Sequence, residues 1–563
     1  MARKCALGLD FGTNSVRALI VDVANGEELG TAVHGYAHGQ QGVILDGRDP
    51  NLARQHPQDY LDGMERAVHE ALEQARGQAD FTAESIIGIG IDCTGSTPIP
   101  LNADGRPLAL TEEFNDDPNA MAWLWKDHTA HAEAAEITEL AAKLRPHYLA
   151  KCGGGYSSEW YWSKLLHCKR VAPRVFAAAH TWAEHTDWMP AVLTGTEHPS
   201  KLQRGICAAG HKAMFNPGWG GYPDAEFLSA LDPELARVRA TLPDRAANVS
   251  QAAGGLTAEW AMRLGLPAGT PVAIGAFDAH LGAVGSGIEP GVLVKIIGTS
   301  TCDMMVAPLS GDQRDIPGLC GIVPESILPG HFGFEAGQSA VGDIFNWFVN
   351  QIEPGGKAVG SHEELTRLAE TLRPGESGLL TLDWHNGNRT ILIDQRLTGL
   401  TLGLTLATTP YEIYRSLIEA TAFGARVIME RFEEYDCKVE RVVNCGGISA
   451  KNPLVMQIYA DVMGRPLEIS RSAQTCALGA AMCGAVVAGQ EAGGHADFAA
   501  AARAMTGVQP RKFTPIAENQ RVYDRLYTLY RQVHDAFGVK GRQESLHNVM
   551  KDLLAIRDEM RAK

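Results

Sequence analysis

The sequence contains no Cys-x-x-Cys pair and no repeating cysteine spacing, and its 11 cysteines are scattered and odd in number. That argues against a disulfide framework or a zinc site and leaves free thiols, the usual state in a reducing compartment. Long Lys/Arg runs are also missing. Lys+Arg total 50 against 66 Asp+Glu, the formal net charge is -16 and the pI is about 5.6, so neither nucleic acid nor an anionic membrane is expected as a partner. The apolar run near Ala477 to Ala488 is too short and small-residued to span a bilayer, and the apolar residues after Met1 meet Asp10 too early for a signal peptide. A soluble, cytoplasmic protein is the expectation, in which the sequons at Asn248 and Asn388 are chance matches. Finally, there is no Walker A sequence and no complete G-x-G-x-x-G, which removes P-loop NTPases and Rossmann dehydrogenases. Any phosphate chemistry must rest on other loops.

Two such loops are present. Asp10-Phe11-Gly12-Thr13-Asn14-Ser15-Val16-Arg17 lies between the apolar segments Cys5 to Leu9 and Ala18 to Val23. It reads as a β-hairpin in which Gly12 eases the turn and Thr13, Asn14 and Ser15 offer hydroxyl, amide and main-chain donors to a polyphosphate, with Asp10 facing a bound cation. In the other half Val292 to Ile297 runs into Gly298-Thr299-Ser300-Thr301 and out through Cys302 to Val306. One such turn per half is what a cleft between two related domains needs to hold a nucleotide's phosphates from both sides. Between them Asp278 stands alone in the glycine-rich run Gly275 to Gly285, a suitable setting for a general base.

At 563 residues the chain is long for one core, and two domains are expected. The glycines and proline of Gly285 to Gly291 suit a hinge, giving a first half at 1–287 and a second at 288–563 with a helical tail from about 510. Apolar spacing predicts helices over Pro57 to Arg76, Tyr411 to Tyr435, Asn452 to Met463 and Leu478 to Val487, and strands at Ile86 to Ile91 and Glu440 to Asn444. Strand and helix alternate as in a layered α/β fold. The Ala/Gly-rich stretch 489–510 reads as a loose connection.

Taken together the two hairpins resemble those of the sugar-kinase, actin and Hsp70 superfamily, which implies two actin-like (ribonuclease H-like) α/β domains around a cleft. More closely, the chain resembles the FGGY carbohydrate kinases. Asp278 in its glycine frame is similar to their catalytic aspartate, Asp10 to Arg17 to their first phosphate loop, Gly298 to Thr301 to their second, and Cys445-Gly446-Gly447 through Asn452-Pro453 to their adenosine loop. The resemblance implies ATP bound through Gly12, Thr13, Asn14, Arg17, Gly298, Thr299, Gly446, Gly447 and Asn452, Mg²⁺ at Asp10, and Asp278 as base. Four runs, Asp92 to Pro98, Gly155 to Trp160, Gly210-His211-Lys212 and Glu335 to Ser339, resemble the members that act on L-ribulose in arabinose catabolism. By that resemblance Gly95, Lys212, Asp278 and Glu335 line the sugar site and the product is ribulose 5-phosphate; a homodimer is the expected assembly. Thr401 and Leu417 depart from the general family signatures and weigh against glycerol or xylulose as substrate; another pentulose or polyol remains the alternative.

Simpler roles compete for the same residues. From its neighbours alone Lys212 is an ordinary solvated lysine, Glu335 a surface acid and Asp278 a helix cap. His180 with His185 and His128 with His131 have no further ligands in a zinc pattern. Gly337 to Val341 misses the last glycine of a nucleophile elbow. Trp160, Tyr161 and Trp162 read as core packing. The rival from another class is a nucleotide-driven switch of the actin or Hsp70 kind, which would leave the sugar-site runs unexplained.

Overall fold

The computed structural model describes residues 3–310, 315–355, 360–543 and 545–563. The apolar runs at Cys5 and Ile86 form strands, Cys5–Phe11 and Ile86–Cys93, whose residues are buried throughout. Continuous rather than alternating apolar sequence fits strands covered on both faces. They pair in parallel, and Cys5–Phe11 also pairs antiparallel with Ser15–Asp22 across the first Gly-Thr turn. The first sheet has the order Ala252–Gly255, Pro271–Ala273, Ile86–Cys93, Cys5–Phe11, Ser15–Asp22, Glu28–Gly35, with Ala276–Phe277 beside the end of Ile86–Cys93.

The second sheet repeats this plan. Val292–Ile297 pairs antiparallel with Thr301–Pro308 across the second turn and parallel with Arg441–Cys445. Its order is Gly321–Pro324, His331–Ala336, Thr301–Pro308, Val292–Ile297, Arg441–Cys445, Leu467–Ser470, Val508–Phe513. The expected helices occur at Pro57–Ala75, Pro410–Glu434, Pro453–Met463 and Thr475–Ala488. Stretch 489–510 is not a loose connection: it holds the helix Phe498–Met505 and the start of the edge strand Val508–Phe513. Its alanines bury Phe498, Ala501 and Met505, so small residues there make a close-packed helix. Two further helices, Ala517–Gly538 and Val549–Ala562, complete the tail.

The two sheets face each other across a thin helical layer. Helix Thr475–Ala488 lies on the backbone of the first sheet: a Cβ added at Gly8, Gly88 or Gly90 would stand 1.9, 2.0 or 1.7 Å from the carbonyl oxygens of Ala477, Gly484 and Ala480. Helix Asp278–Gly285 crosses it at similar range, with Gly285 and Gly479 standing where a Cβ would come within 2.0 Å of Thr475 O and 1.9 Å of Leu281 O. Gly285 is therefore a packing glycine, whereas Gly287 and Gly291 take positive φ of 74° and 87° and turn the chain into the second sheet. One apolar cluster, including Leu19, Phe277, Leu281, Val292, Val294, Met304, Val443 and Met482, joins both halves through this layer. Ten cysteines, Cys5, Cys93, Cys152, Cys168, Cys207, Cys302, Cys320, Cys445, Cys476 and Cys483, are free thiols. Among the described residues no helix is long and apolar enough to cross a membrane.

Candidate functional site

Strand register assembles the centre of the site. Asp10 and Asp92 are direct partners on neighbouring parallel strands, Ala276 pairs with Asp92 and Phe277 with Cys93, and Asp278 follows at once. Three carboxylates thus emerge at the carboxyl ends of adjacent parallel strands, where open α/β sheets bind ligands. Asp10 receives Arg17 Nη1 at 3.0 Å. Asp92 is fully buried; among the described residues no N–H or hydroxyl donor reaches its oxygens, and its carboxyl lies close enough to that of Asp10 to share a proton with it. Its pKa is pushed well up by burial and by the neighbouring charges of Asp10 and Asp278. Asp278 keeps part of its surface open to the cleft and accepts from the Ala279 amide at 2.6 Å. Burial first and Asp10 second raise its pKa to about 7. It is the first residue of its helix rather than the cap, which is Phe277, and it titrates where a general base is useful. These oxygens are hard donors suited to a divalent cation such as magnesium, and three carboxylates at adjacent strand ends, with Arg17 bonded to Asp10, fit one.

The two hairpins present open donors on either side. Gly12 N–H bonds Ser15 O at 2.9 Å and Gly298 N–H bonds Ser300 O at 2.9 Å, while the N–H groups of Thr13, Asn14, Thr299 and Ser300 find no protein acceptor among the described residues. The first turn is braced from outside: Trp125 Nε1 donates to Thr13 Oγ1 at 3.0 Å, Gln55 Nε2 to Thr13 O at 2.7 Å and Asn14 Nδ2 to Gln41 O at 2.6 Å. Asn14's amide and Thr13's hydroxyl are thereby engaged in the fold, leaving the main chain to meet a ligand.

Glycines in the molecule fall into two physical kinds. Those under helix Thr475–Ala488 are crowded, but a Cβ at Gly12, Gly95 or Gly298 would meet nothing closer than 3.4, 4.0 and 3.9 Å, and one at Gly447 nothing within 4 Å. Gly12 has no positive φ, so its turn does not demand glycine; what the missing side chain leaves is open space beside the backbone. Gly446, at φ 93° and hard against Ile297 O, makes the turn between strand Arg441–Cys445 and the short helix Gly447–Lys451. Asn452 Oδ1 caps the next helix by accepting from Val455 N at 3.2 Å.

Lys212 is neither solvated nor is Glu335 on the surface; both are 6% exposed. Helix Ile206–Ala213 carries Lys212 from the first half, strand His331–Ala336 carries Glu335 from the second, and Lys212 Nζ bonds the two Glu335 oxygens at 3.0 and 2.9 Å. Burial opposes both charges, but each stabilises the other: the Glu335 carboxyl is held far below the usual range and the Lys212 ammonium above it. Trp160 and Phe277 rings flank the ammonium at 5.4 and 5.6 Å, so Trp160 borders the site, whereas Tyr161 and Trp162 are core. Gly95 faces Lys212 Cε at 4.0 Å. Behind Glu335 stand His211 and His280, both buried and held neutral, His280 with its pKa lowered to about 4 by burial. Their ligand atoms and that of Glu335 lie within 4.8 Å of one another, a donor set a transition metal could use, but Lys212 already occupies both Glu335 oxygens.

Two residues given no role of their own from sequence belong to this region. Asp92 lies in the run Asp92 to Pro98 at a strand end, and it follows an apolar strand as Asp10 does. Arg389 carries no such signal: it comes from an irregular segment and reaches the second hairpin by donating from Nη2 to Thr301 O at 2.9 Å.

Family models and solved structures bear on this geometry. Residues 5–285 match the N-terminal domain of the FGGY family of carbohydrate kinases and residues 293–488 its C-terminal domain. The chain is 44% identical over 570 residues to "Ribulokinase" of Shouchella clausii (strain KSM-K16), covering 99% of this chain and 98% of that one. It is 42% identical over 545 residues to "Ribulokinase" of Vibrio parahaemolyticus, covering 94% and 95%. In fold it is similar to xylulose kinase from Rhodospirillum rubrum, with a TM-score of 0.77 at 23% identity over 95% of this chain and 99% of that chain. Plasmodium falciparum glycerol kinase with ADP gives 0.75 at 15% identity over 95% and 98%. Paired hairpins, facing sheets and sequence thus agree on one conclusion: the chain belongs to the FGGY family of carbohydrate kinases, enzymes that use ATP.

Proposed function

We propose that the enzyme transfers the γ-phosphoryl group of ATP to L-ribulose, and also to D-ribulose, giving ribulose 5-phosphate and ADP in L-arabinose catabolism. The observation that carries a sugar kinase is the contiguity of Asp278, at a pKa of about 7, with the buried Lys212–Glu335 pair drawn from opposite halves. The choice of pentulose rests on the relatives named ribulokinase at 40–44% identity over nearly the whole chain; neighbours in fold include xylulose, gluconate and glycerol kinases at 23% or less.

In this reading Asp278 accepts the proton of the attacking sugar hydroxyl. Lys212 and Glu335 orient the sugar through charge-assisted hydrogen bonds, and Gly95 leaves room for it beside Lys212. The open amides of Thr13, Asn14, Thr299 and Ser300 take the β- and γ-phosphates from both sides, so catalysis is mostly positioning and charge stabilisation. Gly446 and Gly447 allow the adenosine to lie against the backbone. Asp10 and Asp92 would hold hydrated Mg²⁺, which supplies charge neutralisation at the phosphates when bound. Closure of the cleft would exclude water from the transferring group.

The test is a coupled ADP assay over L-ribulose, D-ribulose, D-xylulose and glycerol. L-ribulose should give the highest kcat/KM; a panel led by glycerol would overturn the substrate assignment.

A further inference from the structure

The roles above leave Arg389 unused, although its position is unusual. A guanidinium stays charged at any physiological pH, and one partly shielded from water, as Arg389 is, gains from a nearby anion. Among the described residues none is bonded to it. Nη2 donates to Thr301 O at 2.9 Å, and among the described residues Nε, which is buried, has no acceptor and Nη1 makes no hydrogen bond. Among the described residues no carboxylate comes within ion-pair distance; burial opposes its charge, while Glu159 and Glu335 act on it through space to raise its pKa.

The surroundings hold this free cation in place. Arg389 N–H donates to Ser339 Oγ at 3.1 Å. Beneath the guanidinium is Gly337, where a Cβ would stand 2.8 Å from Nη2 and 2.0 Å from Thr301 O. Any side chain there would displace the guanidinium or the hairpin. Thr301 is itself clamped by Gln338, whose carbonyl accepts from Thr301 N–H at 3.1 Å and whose N–H donates to Thr301 Oγ1 at 2.9 Å. Nη1 is therefore a free donor on a guanidinium tied to the strand that leaves the second hairpin, within electrostatic reach of Glu335, which marks the sugar.

We propose that Arg389 is a phosphate-binding residue of the cleft, contacting the transferring phosphoryl group and then the phosphomonoester of the sugar product. This rests on the sugar-kinase reading above. In the step, a sugar hydroxyl oxygen bonds the γ-phosphorus, the bond from that phosphorus to the ADP oxygen breaks, and the hydroxyl proton passes to Asp278. Negative charge leaves the nucleotide side and arrives on the sugar side. A planar guanidinium already anchored through Nη2 and free at Nη1 suits that dianion better than a mobile ammonium would.

The test uses full-length wild type, Arg389→Gln and Arg389→Lys. Wild type must first form sugar phosphate from a pentulose, which checks the kinase reading separately. Arg389→Gln should then lower kcat by about 10²-fold and weaken product inhibition by ribulose 5-phosphate about 10-fold or more. Sugar affinity, read by tryptophan fluorescence, and ADP affinity should stay within about 3-fold. Arg389→Lys should fall between the two and supplies the same readouts if the Gln variant does not fold. Unchanged kcat with unchanged product inhibition would overturn the proposal and leave the kinase reading intact. Equal loss of ADP, sugar and product affinity would also overturn it, because that pattern marks a displaced hairpin.

Discussion

Replacing Asp278 by Asn should produce an enzyme that is nearly inactive and, without ligands, more stable. The loss of turnover follows from removing the base: about 10² to 10⁴-fold in kcat, with ATP affinity nearly intact. The gain in stability follows from the crowding of Asp10, Asp92 and Asp278 at adjacent strand ends. A carboxyl held near 7 instead of 3.8 costs the fold about 4 kcal/mol at most when ionised, at about 1.4 kcal/mol per pH unit. Water entering the partly open cleft screens this, so about 1–2 kcal/mol is expected. Because the folded pKa is raised, the cost is absent below an unfolded pKa of about 3.9, accumulates as pH rises and is complete above the folded value. The benefit of Asp278→Asn should therefore grow between pH 5 and pH 8. Thermal melting of apo wild type and variant at both pH values measures it, with an expected rise of about 1–3 °C at pH 8. A gain equal at the two pH values, or near-normal turnover, would refute the reasoning. In wild type, kcat/KM should rise with pH through about 7 as the base loses its proton.

Three further outcomes are expected. Glu335→Gln leaves the buried Lys212 ammonium without its counter-charge; it should lower stability by about 3–5 kcal/mol and raise the sugar KM more than the ATP KM, both measurable by calorimetry and steady-state kinetics. Gly90→Ala would drive a Cβ to 1.7 Å from Ala480 O, a backbone clash no rotamer relieves, and should abolish soluble expression or cost about 3 kcal/mol or more; a normal melting temperature would show that the helix can lift off the sheet. Asp10→Ala should raise the Mg²⁺ concentration needed for half-maximal activity, and full activity at ordinary magnesium would give the first hairpin another role.

The parts of the site that act through contiguous backbone were legible in the sequence. Gly12 to Ser15 and Gly298 to Thr301 each carry strand, turn and donors within a few residues, so local chemistry alone indicates a hairpin with open amides. Asp278 was visible for the same reason, framed by small residues before a turn. What the sequence could not convey is which distant groups meet. Lys212 looks solvated until Glu335, from the other sheet, neutralises and buries it. Asp92 gains its meaning only from parallel register with Asp10, and Arg389 only from Thr301, 88 residues away. The glycines divide in the same way: Gly90 and Gly95 are alike as letters, but one lies under a helix and the other faces the cleft. Local propensity and turn chemistry determined the elements and the phosphate loops, because those depend on neighbours in the chain. Burial, pKa and pairing were decided by the tertiary structure, because charge and exclusion of water depend on neighbours in space.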